Sequence, residues 1–564
     1  MAHTRLEPHD KNQLELKLAY VLDPERRKQR YRVETYLFLP VTLGLNSTTY
    51  TAERFFEQTL AFVRLKTPTV SLASLTRKKD VQEFFAPTKR LLRDMLAGKV
   101  KDEPQAQIQL KLIGCVFRSA VRDELRHVLK RFDRIVPNGE TDAAGRAQVA
   151  DLFGRFGDDL ASALGRIRVL GRDCEHAAMP RTVRHVWYAV DEYSAMVAEA
   201  AVTRLVAAAD MHLEGVAADD PLVKARQKLA DAALAAYDYR RSRGYPSFVE
   251  PGATNEHLPF RQRLLKRLVT SVLYLDTHAG APGSFLQDLV GMVAAAAAML
   301  FAVLVGIWAQ RRWDIFSGAF VAAAVVSYTV KDRIKEWGKR YVGSTVRRFA
   351  GLPTRVVRVC ESGGQKVIGE LRETFCIVDP EGLDDEITTL RHIDHPTDVA
   401  EAGRPEVVVS YVKEVTLSSK GLRAQLPAVQ GLNDIIRFNV NELRHRMDDP
   451  YEEYPHVHPE TRELTSARCM RVYHLNLVLR ITSGTGKGKR VETERVRVVV
   501  NQERILRVEQ VTPAVPGAAT DPLTGRPSPS GSVARTVVLD DDDDNDDLDD
   551  EEPAARAEFG ATPA

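Results

Sequence analysis

An α+β multidomain membrane protein is the class that this 564-residue sequence predicts, on three observations. Two uncharged apolar stretches lie close together near the middle of the chain. The residues before them carry mostly helical periodicity, and those after them mostly strand-like alternation. A dense run of acids, Asp540 to Glu552, lies near the C-terminal end.

The expected division follows these changes of character. Residues 1–285 read as a mainly helical cytoplasmic domain with a short strand-containing start. Residues 286–330 read as a transmembrane helical hairpin, 331–350 as a basic juxtamembrane helix, 351–511 as a β-rich cytoplasmic domain, and 512–564 as a disordered tail. Each flank of the hairpin is long enough to bury a core of its own.

The start alternates or is rich in β-formers over Leu14 to Val21 and Tyr31 to Pro40. Thr51 suits the N-cap of a helix running through Lys66, with Glu53 near its positive end. Helical stripes follow over Gln105 to Arg134, Asp142 to Leu170, Arg181 to Leu213, Pro221 to Arg241 and His257 to Asp276. Turn residues such as Pro137-Asn138-Gly139 separate them.

The first apolar stretch, Leu289 to Ala309, is 21 residues without a charge. As a helix it rises roughly 31 Å, close to the thickness of a hydrocarbon core. Gln310 to Asp314 interrupt it. Ile315 to Val330 give sixteen more uncharged residues, roughly 24 Å of helix. Small residues four apart predict the faces that pack these helices together: Ala294, Ala298, Ala302 and Gly306 on the first, Ala319, Ala323 and Ser327 on the second. Trp308 and Trp313 flank the interruption, as interfacial aromatics do.

Lys331, Arg333, Lys335, Lys339 and Arg340 follow the second stretch and are expected to meet lipid head groups. Only Arg311 and Arg312 lie in the interruption. The positive-inside rule therefore places both termini in the cytoplasm, with the interruption outside, on a membrane such as a bacterial inner membrane. Residues 1–30 contain no apolar core, so the first stretch itself is expected to direct insertion. Five scattered cysteines with no C-x-x-C suit a reducing compartment better than a disulfide framework.

Beyond the basic segment, strands are expected at Arg355 to Val359, Lys366 to Leu371, Thr374 to Val378, Val407 to Val415, Met470 to Thr482, Arg490 to Val500 and Ile505 to Val511. A helix is expected near Leu432 to Met447. Asp540 to Glu552 hold eleven acids; without them the formal charge of the chain rises from +2 to +13. The tail is too poor in apolar residues to fold, so its expected action is electrostatic.

Catalytic signatures do not accompany this architecture. Gly484 to Arg490 has no Ser or Thr after Gly-Lys and sits between strands, so it reads as a hairpin loop rather than a phosphate loop. G-x-S-x-G and H-E-x-x-H are absent. No cofactor and no metal are expected. The residues that would carry a metal are His456 and His458, with Glu460 as carboxylate. No nucleic-acid-binding motif accompanies the basic body, so no specific nucleic acid is expected as a partner.

The expected partners are the lipid bilayer, a further copy of the chain and an unidentified protein. The expected role is a membrane-anchored, non-enzymatic scaffold, sensor or effector that couples cytoplasmic partners to the bilayer and self-associates. The alternative is a membrane-tethered, metal-dependent hydrolase that uses the C-terminal histidines.

Overall fold

The computed structural model describes residues 3–538 apart from 24, 137–141, 214–215, 281–283, 315–316, 338–352, 362–365, 393–404, 426–430, 485–488 and 512–532. Mixed helix and sheet agree with the α+β expectation. The chain divides into two compact units. One comprises Met1–Phe62, Asp276–Pro427 and Asp434–Asp544; the other is built chiefly on Val63–Leu275.

The first unit is organised by strands. In chain order they are β1 (His3–Pro8), β2 (Gln13–Val21), β3 (Lys28–Pro40), β4 (Thr59–Leu65), β5 (Asp276–Gly280), β6 (Arg355–Cys360), β7 (Val367–Val378), β8 (Glu406–Ser418) and β9 (Gly431–Asn439). They continue with β10 (Tyr451–Val457), β11 (Leu464–Met470), β12 (Tyr473–Ser483), β13 (Arg490–Val500), β14 (Ile505–Val511) and β15 (Val533–Val538). Nine of them form one antiparallel sheet in the order β15-β14-β13-β12-β3-β8-β7-β6-β5; β1-β2-β9-β4 form a second sheet, and β10-β11 a separate ribbon.

Alternation along β3 explains the layering. Tyr31 and Val33 are buried on one face, opposite Val415 and Lys413 of β8 and Ser483 and Ile481 of β12. This face meets the four-stranded sheet. On the other face, Phe38, Val408 and Val478 pack beneath Ile387 of the helix Asp385–His392. The central strands therefore bury side chains on both faces, polar ones such as Glu34, Thr35 and Lys413 among them.

Within the interface of the two sheets lies a buried polar chain. Lys413 donates to Asp434 at 2.5 Å, and the Tyr31 hydroxyl donates to the same carboxylate at 3.2 Å. Lys413 and Asp434 are both fully buried. The Tyr411 hydroxyl donates to Glu373 at 2.6 Å, and Tyr20 stacks on Tyr31 with ring centroids 3.7 Å apart. Burial raises the pKa of Asp434, against the pull of Lys413.

Burial, followed by the nearby carboxylates, holds the phenols of Tyr20, Tyr31 and Tyr411 well above their usual value. The sign for stability follows. In the unfolded chain these phenols ionise near pH 10, and in the fold they keep their protons. The native state then binds more protons, so stability is lost as pH rises above about 10. Three such groups give a limiting slope of about 4 kcal/mol per pH unit. Alkaline titration with tyrosinate absorbance at 295 nm should show a cooperative step with loss of sheet structure.

The second unit is helical. Its main helices are α1 (Leu72–Thr76), α2 (Lys78–Leu96), α3 (Glu103–Ile135), α4 (Ala143–Arg168), α5 (Arg181–Asp210), α6 (Pro221–Ser242) and α7 (His257–Thr270). Caps explain three of the starts. Asp102 accepts from the Gln105 amide, Asp142 from Gly145 and Asp220 from Leu222, with Pro104 and Pro221 in the first turns. α5 is the hub. Its buried Asp191 accepts from the hydroxyls of Tyr239 and Tyr245, both at 2.8 Å. Its buried Glu192 takes a forked pair from Arg261 at 3.0 and 2.6 Å, which ties α7 to the bundle.

Several expectations change. The start of the chain groups with the C-terminal strands, whereas residues 1–285 were expected as one domain. The helix capped by Thr51 covers only Ala52–Gln58 before β4 begins, although the Thr51 cap itself forms with the Arg54 amide. The helix expected near Leu432 to Met447 is instead β9, which places Ile436 and Phe438 in a buried strand, followed by the single turn Asn441–Arg444. Val533–Val538, within the expected disordered tail, pairs with β14 as an edge strand, because its valines suit a pleated ladder. The acidic run 540–552 lies outside the described residues.

Candidate membrane-contacting helix pair

Two helices of the first unit differ in kind from the rest. α8 (Ser284–Arg312) and α9 (Gly318–Trp337) pack against each other. Side-chain size is reversed relative to a soluble core. Among the described side chains of α8, Ala294, Ala298 and Ala309 are buried, while Leu300 is 61% exposed and Met292, Val293, Met299, Leu304 and Trp308 also face outward. Among the described side chains of α9, Ser327 is buried, with Val321, Val325, Val326 and Tyr328 outward. Large side chains outside and small ones at the seam suit a lipid environment, in which close backbone approach holds helices together.

Among the described residues, one helix is long and apolar enough to cross a membrane. Its stretch Met292–Arg312 has 21 residues, rises roughly 31 Å, and is mostly exposed. The core helix of a soluble protein passes the same length test only by being mostly enclosed, which α8 is not. α9 does not qualify. Its apolar part runs from Gly318 to Val330, roughly 20 Å, before Lys331, Asp332 and Arg333 begin. Of the two spanning helices expected, α8 therefore passes this test. The turn lies later than expected, because α8 continues through Gln310-Arg311-Arg312 and takes up most of the interruption.

The predicted packing faces are brought together in part. Ala294, Ala298 and Ser327 are buried, Ala302 and Ala323 are half-buried, and Gly306 and Ala319 are exposed. Steps of four drift by about 40° each at 100° per residue, so a row of four such residues leaves the seam by its end. The actual seam corrects the drift with steps of three: Ala294, Ala298, Phe301 or Ala302, Val305 and Ala309 on α8, and Phe320, Ala323, Ser327, Lys331 and Ile334 on α9. A 3.6-residue period rather than a fixed spacing of four would have found Val305, Ala309 and Phe320.

A contrast of two substitutions tests the seam. Ala298 is 1% exposed, so Ala298→Leu should cost about 1–3 kcal/mol by overpacking. A Cβ at Gly306 would meet nothing within 4 Å, so Gly306→Leu should leave the pair intact. Thermal unfolding in mild detergent, followed by circular dichroism, distinguishes the two.

Aromatic and charged groups mark the ends of the pair. Trp308 and Trp313 meet edge to face, with centroids 5.1 Å apart at the turn. Of the expected head-group residues, Lys331 lies over the Tyr328 ring at 3.9 Å and Arg333 is exposed. Lys335 is within α9, and Lys339 and Arg340 lie outside the described residues.

The histidines do not assemble. His456 lies in β10 opposite Thr465. The His458 ring accepts the amides of Glu460 and Thr461 at 3.3 Å, so it closes its own turn. Among the described residues, no group of three or more His, Cys, Asp and Glu side chains is placed to share an ion. Among the cysteines, burial raises the Cys115 thiol to about 12, which leaves it unreactive.

Comparison adds no family. No family model matches this chain, and no curated protein matches its sequence. Among solved structures, native alpha-2-macroglobulin from Escherichia coli, from domain MG7 to the C-terminus, aligns over 84% of this chain and 70% of that chain. The identity is 9% and the TM-score 0.09, too low to carry an argument about fold or function.

Proposed function

We propose that this protein is an integral membrane scaffold, sensor or effector, non-enzymatic, that couples soluble partners to the bilayer and self-associates. The observation that carries this reading is the inverted helix pair, with alanines inside and leucine, valine, methionine and tryptophan outside. In this reading α8 spans the bilayer and α9 returns against it as the second arm of a hairpin. The short apolar part of α9 is accommodated by local thinning and by Lys331 reaching toward the interface. The basic residues from Lys331 onward outnumber Arg311 and Arg312 at the turn, and this bias supports a cytoplasmic side for both flanks of the pair.

Self-association follows from the outward faces of a lone hairpin, which neighbouring copies can share. Cross-linking of the full chain in native membranes, followed by mass determination in mild detergent, tests this. Discrete multimers are expected, and a monomer at every protein-to-detergent ratio would overturn it.

A further inference from the structure

We propose that α7 is an amphipathic docking helix that lies on an anionic bilayer surface. The inference rests on the membrane reading of α8. Its partner is lipid with acidic head groups, and its contact face is the outer ridge of α7.

The inner face of α7 is fully committed. Leu265 and Val269 are buried against the helical bundle. Val269 approaches Gly114 of α3 so closely that a Cβ at Gly114 would fall 2.8 Å from its Cγ1. The Cys115 thiol donates to the Val269 carbonyl at 3.3 Å, and Arg261 is held by Glu192. α7 is therefore presented rigidly.

The outer face is the reverse of what water selects. Phe260 is 69% exposed, Leu264 45% and Leu268 38%, at spacings of four. Arg263 and Arg267 are exposed beside them. At 100° per residue these five side chains fill an arc of about 140°, apolar on one side and basic on the other, opposite Leu265 and Val269. Apolar groups that sink about 5–10 Å into the head-group boundary, flanked by cations for acidic lipid, make up an interfacial helix. Continuity of the chain selects lipid as the occupant. Thirteen residues separate Thr270 from Ser284, where the apolar α8 begins. An inserted α8 therefore holds α7 at high effective concentration near the surface.

The test uses the full chain in vesicles of phosphatidylcholine with one quarter phosphatidylglycerol, and in vesicles of phosphatidylcholine alone. Cys376 and Cys469, the exposed cysteines, are replaced by serine. An environment-sensitive fluorophore is then attached at Leu264→Cys or, separately, at Leu300→Cys in α8. The label at 264 is expected to be quenched most by a spin label near the head group, only in the anionic vesicles, and to be released by high salt. Arg267→Gln should lower its docked-to-free ratio roughly fivefold, the equivalent of about 1 kcal/mol for one surface cation. The label at 300 is expected to be quenched by deep spin labels whatever the lipid charge or salt.

Quenching at 300 without quenching at 264 overturns the docking proposal and leaves the membrane reading standing. No quenching at either position overturns both. A blue-shifted label at 264 that lipid spin labels do not reach means a protein covers the ridge, which also overturns the proposal.

Discussion

Replacing Leu300 and Leu304 together by arginine is expected to abolish membrane integration of the full chain. Both residues face outward near the middle of the apolar stretch, with more than half of each side chain exposed. No partner on α9 is needed for them, so packing changes little. Each arginine at the centre of a membrane helix costs about 2.5–3.5 kcal/mol, and each lost leucine removes about 0.5 kcal/mol of favourable transfer. The pair together shift insertion by about 6–8 kcal/mol, a change of at least ten-thousandfold in the equilibrium. Flotation of membranes from cells expressing the variant should leave it in the dense soluble or aggregated fraction. Circular dichroism should show the sheet and the bundle still present. Continued flotation of this variant would mean that α8 is not the anchor.

The second large effect lies in the β unit. Asp434→Ala should destabilise it by about 3–5 kcal/mol, because Lys413 would remain fully buried without its counter-charge. The Tyr31 hydroxyl loses its acceptor in the same change, which adds to the loss. The double variant Lys413→Met with Asp434→Leu should recover most of the deficit, since buried ion pairs replaced by apolar groups of similar volume are often neutral or better. Denaturant unfolding of the single and double variants measures both. A single variant as stable as the parent would show that the pair carries a compensating water or rearrangement.

Strand type was more legible in the sequence than strand partnership. The alternation in Tyr31 to Pro40 and in Tyr473 to Ile481 predicts strands, and both form. Nothing local says that they are neighbours, yet Tyr36 lies opposite Val478 across more than four hundred residues. The expected domain boundary failed on that point, because the partner of a strand is chosen by the whole sheet.

The helices of the bundle were legible where a polar cap preceded a stripe, as at Asp142 and Asp220. Helix α2 was missed, since its charged sequence with an internal Pro87 shows no clean stripe. Ile435, Ile436 and Phe438 misled in the other direction: an apolar cluster of that length suits a buried strand as well as a helix. At the pair α8 and α9, composition located the apolar helix, and simple spacing by four misplaced the far end of its seam. The exposed ridge Phe260, Leu264 and Leu268 was present in the sequence, but only its exposure distinguishes it from a core stripe.

Extraction of native membranes with alkaline carbonate tests the central claim most directly. Under these conditions the β unit should be destabilised by its buried phenols, while the apolar surface of α8 keeps its preference for lipid. The full chain is expected to stay in the membrane pellet and to be released only by detergent. Recovery in the carbonate supernatant, as a monodisperse protein without detergent, would contradict the account.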